Sequence, residues 1–509
     1  MSSIRRIILH LCVLQVIFIA CNPAEQIEQN TLPNIVYILA DDLGYGDLQT
    51  YNPQSKIPTP HLDNLASEGM KFTDAHSPSS VCTPTRYGIL TGRYCWRTRL
   101  PRGVLQGYGQ ALILPEETTV AEILKQKGYS TGVVGKWHLG LNWHLKENHE
   151  DSIAVYGDRP ILSNIKDDWI DFSKPPTNGP TTHGFDYSYI LPASLDMSPY
   201  CYLENDTLTE IPSAETPGND LDVPSWATMA FWRAGKMSPG FDFYDVLPTF
   251  IRQAESFVSS QDGNQPFFLY LPLAAPHTPW VPTDDFGSTS AAGQYGDFVN
   301  MVDAYVGRFL SHLEKEGFKD NTLVIFTSDN GPFWKPDFIE RYDHKAAGNL
   351  RGMKADIWEG GHRIPFIVRW PGKVAAASES SQLTSLTNLM GTVSEIVEQP
   401  LGSGVGLDSQ SVLAQMTGSP ADPTVEVVHH SSRAYFALRS GSWKLIEGRG
   451  SGGFSQPSVI TPEEGDPVGQ LYNLEEDFSE TENLYQEQEK VVKQLEEKLA
   501  QIRNKEANL

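Results

Sequence analysis

The sequence predicts an α/β fold with a mostly parallel central sheet, helices on its faces and a smaller C-terminal α+β domain. Short apolar runs at Asn34–Ala40 and at residues 129–134, 267–271 and 323–326 are continuous rather than alternating, as strands buried on both faces are. Segments with helical signals lie between them, and strand, helix and strand in alternation is the α/β pattern. The chain has 509 residues, more than one hydrophobic core usually supports, so two domains are expected.

Taken in order, the run 34–40 leads to a helix with Thr59 as cap, Pro60 at its first position and Gly69 after it. A second helix starts at Pro84, and a third follows Thr118 or Thr119 and stops at Gly128. Residues 142–230 are rich in Asp, Pro, Asn and Thr with weak periodicity, and read as an insertion of loops and short elements shaping a substrate cleft. Helical spacing returns at residues 244–260 and 298–317. The Ala- and Ser-rich stretch 375–381 marks the domain boundary, giving a main domain at 32–375 and a C-terminal one at 382–509 with a closing charged helix near 487–505.

Residues 1–21 read as a processing segment. Arg5 and Arg6 precede an apolar run from 7 to 20, interrupted by His10 and Gln15 and too short to span a bilayer. Ala20-Cys21 ends it as a lipoprotein cleavage box would, with Phe18 and Ile19 departing from the usual pattern. The expectation is a lipid-anchored protein of a bacterial envelope, at the outer membrane or in the periplasm; the alternative is an ordinary secretory signal and a secreted protein. Cys82, Cys95 and Cys201 remain, and a Cys95–Cys201 bridge is open but not favoured.

The formal charge is −24, and no basic stripe is present, which argues against a nucleic-acid partner. A polyanionic substrate would need a local cluster of Lys, Arg and His.

The stretch that carries the chemistry is Cys82-Thr83-Pro84-Thr85-Arg86, followed by Thr91-Gly92. Proline suits a first helical turn, so Cys82 stands at a helix mouth where free N–H groups and the dipole favour an anion. Arg86 can point at the same place. The apolar runs end in Asp41-Asp42, in Lys136 with His138, in His277 and in Asp329-Asn330. In an open parallel sheet ligands bind outside the carboxyl ends of the strands, so these groups share one crevice if the strands are neighbours. Asp41, Asp42, Asp329 and Asn330 offer only oxygen, which suits Ca2+, with Mg2+ as runner-up.

The Cys-x-Pro-x-Arg motif with its Thr-Gly resembles the signature of the type I, formylglycine-dependent sulfatases, in the branch of arylsulfatase A and N-acetylgalactosamine-6-sulfatase. Matches continue through Gly184-Phe185-Asp186, the block from Arg351 to Gly361 that marks Lys354, Ser442-Trp443-Lys444-Leu445 and Leu471-Tyr472-Asn473-Leu474, and so cover nearly the whole mature chain. The resemblance implies an alkaline-phosphatase-like large domain and conversion of Cys82 to formylglycine by a maturation enzyme. It implies one divalent ion held by Asp41, Asp42, Asp329, Asn330 and residue 82. It also implies hydrolysis of sulfate esters on a sulfated glycan, with Lys136, His277 and Lys354 binding substrate and Arg86 orienting the nucleophile. His277 is read as the acid and His138 as the base, roles that the sequence leaves interchangeable. Tyr187, Trp232, Arg233 and Lys236 are candidates for sugar subsites. The alternatives are a phosphodiesterase or phosphatase of the same fold and a catalytically silent glycan-binding lipoprotein.

Overall fold

The computed structural model describes residues 32–147, 166–219 and 229–505. The segment carrying Cys12 and Cys21 lies outside the described residues. Among the described residues no helix is long and apolar enough to cross a membrane.

Five strands form the parallel centre of a ten-stranded sheet: β1 (Asn34–Ala40), β2 (Ser130–Lys136), β3 (Tyr187–Leu191), β4 (Phe267–Pro272) and β5 (Thr322–Ser328). Their spatial order is β5-β1-β4-β2-β3. Every residue of β1, β4 and β5 is buried, which is why these runs carry no polar alternation. Beyond β5 the sheet continues through Phe366–Arg369, antiparallel to it, then Met70–Phe72 and Ser378–Ser380; beyond β3 it ends in the hairpin Leu203–Glu204 and Thr207–Leu208.

The strand β3 is one of the short elements within residues 142–230 and adds a fifth parallel strand to the four expected. It pairs in parallel with β2, with Lys136 opposite Leu191. Its sequence Tyr-Ser-Tyr-Ile-Leu has too few consecutive apolar residues to stand out.

Register brings the strand ends level. Ala40 pairs with Ser328 and Leu39 with Pro272, so the residues that follow β1, β4 and β5 leave the sheet side by side. The N–H of Asp41 donates to the Ala275 carbonyl at 3.0 Å and that of Asp329 to the Ala40 carbonyl at 3.1 Å, extending the ladder into the loops. Gly135 lies at φ +140°, where a Cβ would stand 1.9 Å from the Pro272 carbonyl oxygen. Glycine there lets β2 approach β4 and places Lys136 beside the end of β1.

Helices cover both faces. Val246–Ser259 and Gly293–Lys315 contribute Phe250, Ile251, Val258, Phe298, Val302 and Phe309 to one core with Val36, Leu269 and Val324. Each such side chain, fully buried, is worth about 1.5–3 kcal/mol. The helix Val120–Gln126 opens with a complete capping box, Thr119 accepting from the Glu122 N–H and Glu122 from the Thr119 N–H. Thr59 does not cap Pro60–Ser67; its hydroxyl instead accepts from the Gln49 N–H and donates to Asp63.

A four-stranded antiparallel sheet, Glu426–His430, Phe436–Ser440, Trp443–Ile446 and Gln470–Asn473, is covered by the C-terminal helix Glu489–Arg503. It belongs to the same compact unit as the large sheet, Pro33–Leu509. Cys95 and Cys201 are buried and unbridged.

Candidate active site

The helix α1 (Cys82–Thr91) is buried along its whole length and begins with Cys82 after an extended Val81. It ends at Gly92, which takes the left-handed conformation at φ +63°. The Cys82 thiol points at Asp41, 3.6 Å from Oδ1, and burial pushes its pKa well above the usual thiol range.

Around that sulfur the strand ends build a balanced set of charges. Lys136 at the end of β2 donates to Asp41 Oδ2 at 2.5 Å and to the Ser194 hydroxyl at 3.1 Å. Lys354 donates to Asp42 Oδ2 at 2.8 Å. Arg86, four residues into α1, donates through Nε and Nη2 to Asp329 Oδ2 at 3.1 and 2.8 Å and through Nη1 to the Lys136 carbonyl at 2.9 Å. Three carboxylates thus meet three cations, and pairing of this kind is what makes buried charge tolerable.

The field within the cluster is uneven. Burial opposes ionisation of Asp41, but Lys136, His277, Arg86 and Lys354 together hold its carboxyl well below the usual range. Asp329 goes the other way, raised by burial and by the neighbouring Asp41 charge. Lys354 is disfavoured as an ion by burial, yet Asp42 first and then its other neighbours, Asp41 among them, together raise its pKa.

Two histidines complete the set. His138 gives its Nε2–H to the Leu105 carbonyl at 2.8 Å, which leaves Nδ1 as the lone-pair nitrogen, and Nδ1 has no hydrogen-bond partner among the described residues. His277 holds the Thr278 carbonyl through Nδ1 at 2.5 Å and turns Nε2 toward Asp42, 3.7 Å away. Burial, with Lys136 for His138 and Lys354 for His277, lowers both pKa values. Asp42 and His138 both take left-handed backbone conformations, at φ +65° and +52°, a cost of about 1–3 kcal/mol each that is characteristic of functional positions.

The donor set fits a hard divalent ion. One atom each of Asp41, Asp42, Cys82 and His277 lies within 4.8 Å of the others. Asn330 donates its amide to Asp42 Oδ1 at 2.6 Å and to the Gly331 carbonyl at 2.9 Å, while its buried Oδ1 has no partner among the described residues. A buried carbonyl-type oxygen without a donor beside two carboxylates is the arrangement a calcium or magnesium ion satisfies.

All ten residues singled out in the sequence come together. Asp42, Cys82, His138, His277 and Lys354 line a cavity of about 1130 Å³, and Asp41, Arg86, Lys136, Asp329 and Asn330 are buried within the same network. Of the sugar-subsite candidates only Arg233 lines the cavity. Tyr187 is turned to Gln253 and stacks on Phe257, Trp232 stacks on Phe243, and Lys236 pairs with Glu215. Sequence reading missed Ser194 and Asp196, which sit just past the end of β3; recognising that strand would have found them by the strand-end rule used for the others.

The Sulfatase family matches residues 33–398 of the chain. The chain belongs to the sulfatase family. It is 32% identical over 506 residues to an N-acetylgalactosamine-6-O-sulfatase of Bacteroides thetaiotaomicron, covering 93% of each chain. Human arylsulfatase A is 31% identical over 474 residues, covering 89% of this sulfatase and 83% of the human protein. A solved 6S-sulfatase from work on glycosaminoglycan metabolism by Bacteroides thetaiotaomicron superposes with a TM-score of 0.78 at 31% identity, covering 92% of this chain and 99% of that one. A phosphonate monoester hydrolase of Agrobacterium radiobacter, 18% identical with a TM-score of 0.58, shares the fold. As a sulfatase the chain is a sulfuric ester hydrolase with an alkaline-phosphatase-like fold.

Proposed function

We propose that this sulfatase removes sulfate esters from sugars of a sulfated polysaccharide or oligosaccharide, using formylglycine made from Cys82. The observation that carries this reading is the position of Cys82, at the mouth of α1 on the wall of the cavity and against Asp41. Similarity to the N-acetylgalactosamine-6-O-sulfatase supports an amino sugar or galactose-type substrate.

Converted to formylglycine, residue 82 supplies a hydrated aldehyde as nucleophile in place of a thiol that burial keeps protonated. A divalent ion, calcium on this reading, held by Asp41, Asp42, Asp329, Asn330 and residue 82, supplies Lewis acidity toward a sulfate oxygen. The remaining work falls to side chains whose positions are fixed. Lys136 and Lys354 are pinned by Asp41, Ser194 and Asp42, so their ammonium groups face the developing charge on sulfate without reorganising. Arg86 locks the Asp329 carboxylate and the end of β2.

His277, whose Nε2 faces the cluster, protonates the departing sugar oxygen; its imidazolium, destabilised by burial and Lys354, gives the proton up readily. His138 accepts at Nδ1 the proton released when sulfate is expelled, because its Nε2–H is committed to Leu105. The lipoprotein-type segment ending at Cys21 adds an envelope address to this proposal, and mass spectrometry of the mature N-terminus tests it.

The deciding experiment pairs peptide mass spectrometry at residue 82 with sulfate- and phosphate-release assays on matched esters. Active protein carrying an aldehyde at residue 82, hydrolysing sulfate esters and losing at least about 10³-fold in Cys82→Ala, is expected. Full activity with an intact thiol, or preference for phosphate esters, overturns it.

A further inference from the structure

Within the cavity, one carboxylate near His277 and Lys136 is given no part in the chemistry above. Asp196 follows β3 by five residues, lines the cavity and is only 4% exposed. Its Oδ2 is held by Arg233, whose Nη1 also donates to the Asp196 carbonyl at 3.1 Å. Its Oδ1 is buried and makes no hydrogen bond of good geometry among the described residues, although the Ser194 hydroxyl lies beside the carboxylate. An ionisable oxygen left bare is destabilising, and natural interiors rarely leave one without a ligand or water to satisfy it.

The position of this oxygen restricts what can fill it. Asp196 stands two residues beyond Ser194, whose hydroxyl holds the sulfate-facing Lys136, so its subsite adjoins that of sulfate. A carboxylate accepts hydrogen bonds and repels anions. It therefore suits a neutral O–H donor on the atom next to the esterified one, and it opposes a second sulfate or a uronic carboxylate at that place. Arg233 presents the complementary donor: its side chain is 48% exposed, and the guanidinium lies 5.2 Å over the Phe231 ring, which also lines the cavity. One hydroxyl can then donate to Asp196 and accept from Arg233.

We propose that Asp196 and Arg233 form a hydroxyl-binding subsite that requires a free sugar hydroxyl beside the sulfate ester and rejects sugars sulfated at both positions. This rests on the reading of the substrate as a sulfated sugar. It assigns a specificity role; an effect of the Asp196 charge on His277 would instead weaken every sugar ester alike, the deoxy analogues included.

The test uses the full chain with its natural modification and four probes: a sulfated monosaccharide that it hydrolyses, single-position deoxy analogues of that sugar, the corresponding disulfated sugar, and 4-nitrophenyl sulfate, which has no sugar hydroxyl. Asp196→Ala is expected to lower kcat/KM for the sugar about 10–150-fold, as the loss of one hydrogen bond to a charged group does, and at least tenfold more than for the aryl ester. Wild type should lose a comparable factor on one deoxy analogue, and Asp196→Ala should lose no more on that analogue. Asp196→Asn, which keeps the shape and removes the charge, should narrow the discrimination against the disulfated sugar at least tenfold. Equal losses on sugar and aryl ester, or unchanged discrimination in Asp196→Asn, overturn the subsite. Wild type that hydrolyses the aryl ester but no sulfated sugar overturns the glycan reading itself, a result distinct from either.

Discussion

The cluster at the strand ends and a second one around Glu359 are made from the same kinds of side chain. The second joins Asp74, Glu359 and Glu480 to Arg363, Arg439 and Lys444, with His76, His362 and His429 among them. Ligand-type atoms of His76, Glu359, His362 and His429 lie within 4.8 Å of one another, the same closeness seen for Asp41, Asp42, Cys82 and His277. Both leave buried polar atoms without partners, Asn330 Oδ1 in the first and both His429 ring nitrogens in the second, and what differs is access to the cavity and to the acidic oxygens. Glu359 has both oxygens taken, by Lys444 at 3.0 Å and by Arg363 at 3.0 Å. The His362 and His429 rings lie face to face at 3.8 Å and 24°, so their in-plane lone pairs do not converge on one ion. None of these side chains lines the large cavity.

The Glu359 cluster instead clasps two layers. His76, Glu359 and His362 come from the segments beside the large sheet, and His429, Arg439 and Lys444 from the small one. Buried charge therefore marks a reactive centre here only where it meets a cavity, as Asp42 and Lys354 do. Elsewhere it is fastening.

Substitutions can break this contrast. The largest effect is expected from Asn330→Ala, which removes the partnerless Oδ1 and leaves the ion pairs of Arg86, Lys136 and Lys354 in place; it should cut sulfate release at least about 10³-fold and lower the bound divalent metal while thermal unfolding moves little. Elemental analysis and calorimetry check it, and a loss of stability as large as that in the second cluster would erase the distinction. Glu359→Gln should do the reverse. Leaving Lys444 and its neighbours under-compensated is expected to cost about 3–5 kcal/mol, measured by denaturant unfolding, with turnover per folded molecule within about threefold of wild type.

Acid sharpens the comparison further. Burial holds His76, His362 and His429 neutral, with folded pKa values below 6.5. Below about pH 6.5 the unfolded chain protonates these rings and the native one does not, so stability rises with pH in that window and falls on acidification. Each contributes up to about 1.4 kcal/mol per pH unit. Glu480, raised by burial to about 6, offsets part of this between its unfolded value of 4.5 and about 6. His429→Phe should flatten the slope by one histidine's share in unfolding titrations between pH 5 and 7. The smallest effect concerns salt. With a net charge of −24, turnover of a sulfated polymer should hold or rise modestly as ionic strength increases, because screening weakens long-range repulsion more than contact pairs. A steep fall from low salt upward in a sulfate-release series would count against it.

Much of the reactive cluster was legible because its members end continuous apolar runs, a pattern visible without any partner in view. Asp41, Asp42, Lys136, His138, His277, Asp329 and Asn330 all follow that rule. Lys354 does not, and only the resemblance in the block around it marked it out. The strand β3 was hidden by its alternating tyrosines and serine, and Ser194 and Asp196 were hidden with it. The Glu359 cluster was illegible for a different reason. Its residues share no local pattern, and His76 and Arg439 meet across 363 positions of sequence.

The seclusion of Cys82 carries a consequence for how the protein is made. Only 2% of the residue remains accessible, and Arg86 meets its partner Asp329 243 residues further along. At roughly 5–20 residues per second, about 12–50 s of synthesis separate the emergence of the two. If Cys82 is converted to formylglycine as proposed, the enzyme that oxidises the thiol would have to reach it on the nascent or still unfolded chain, since closure of the sheet withdraws the sulfur from any protein-sized visitor.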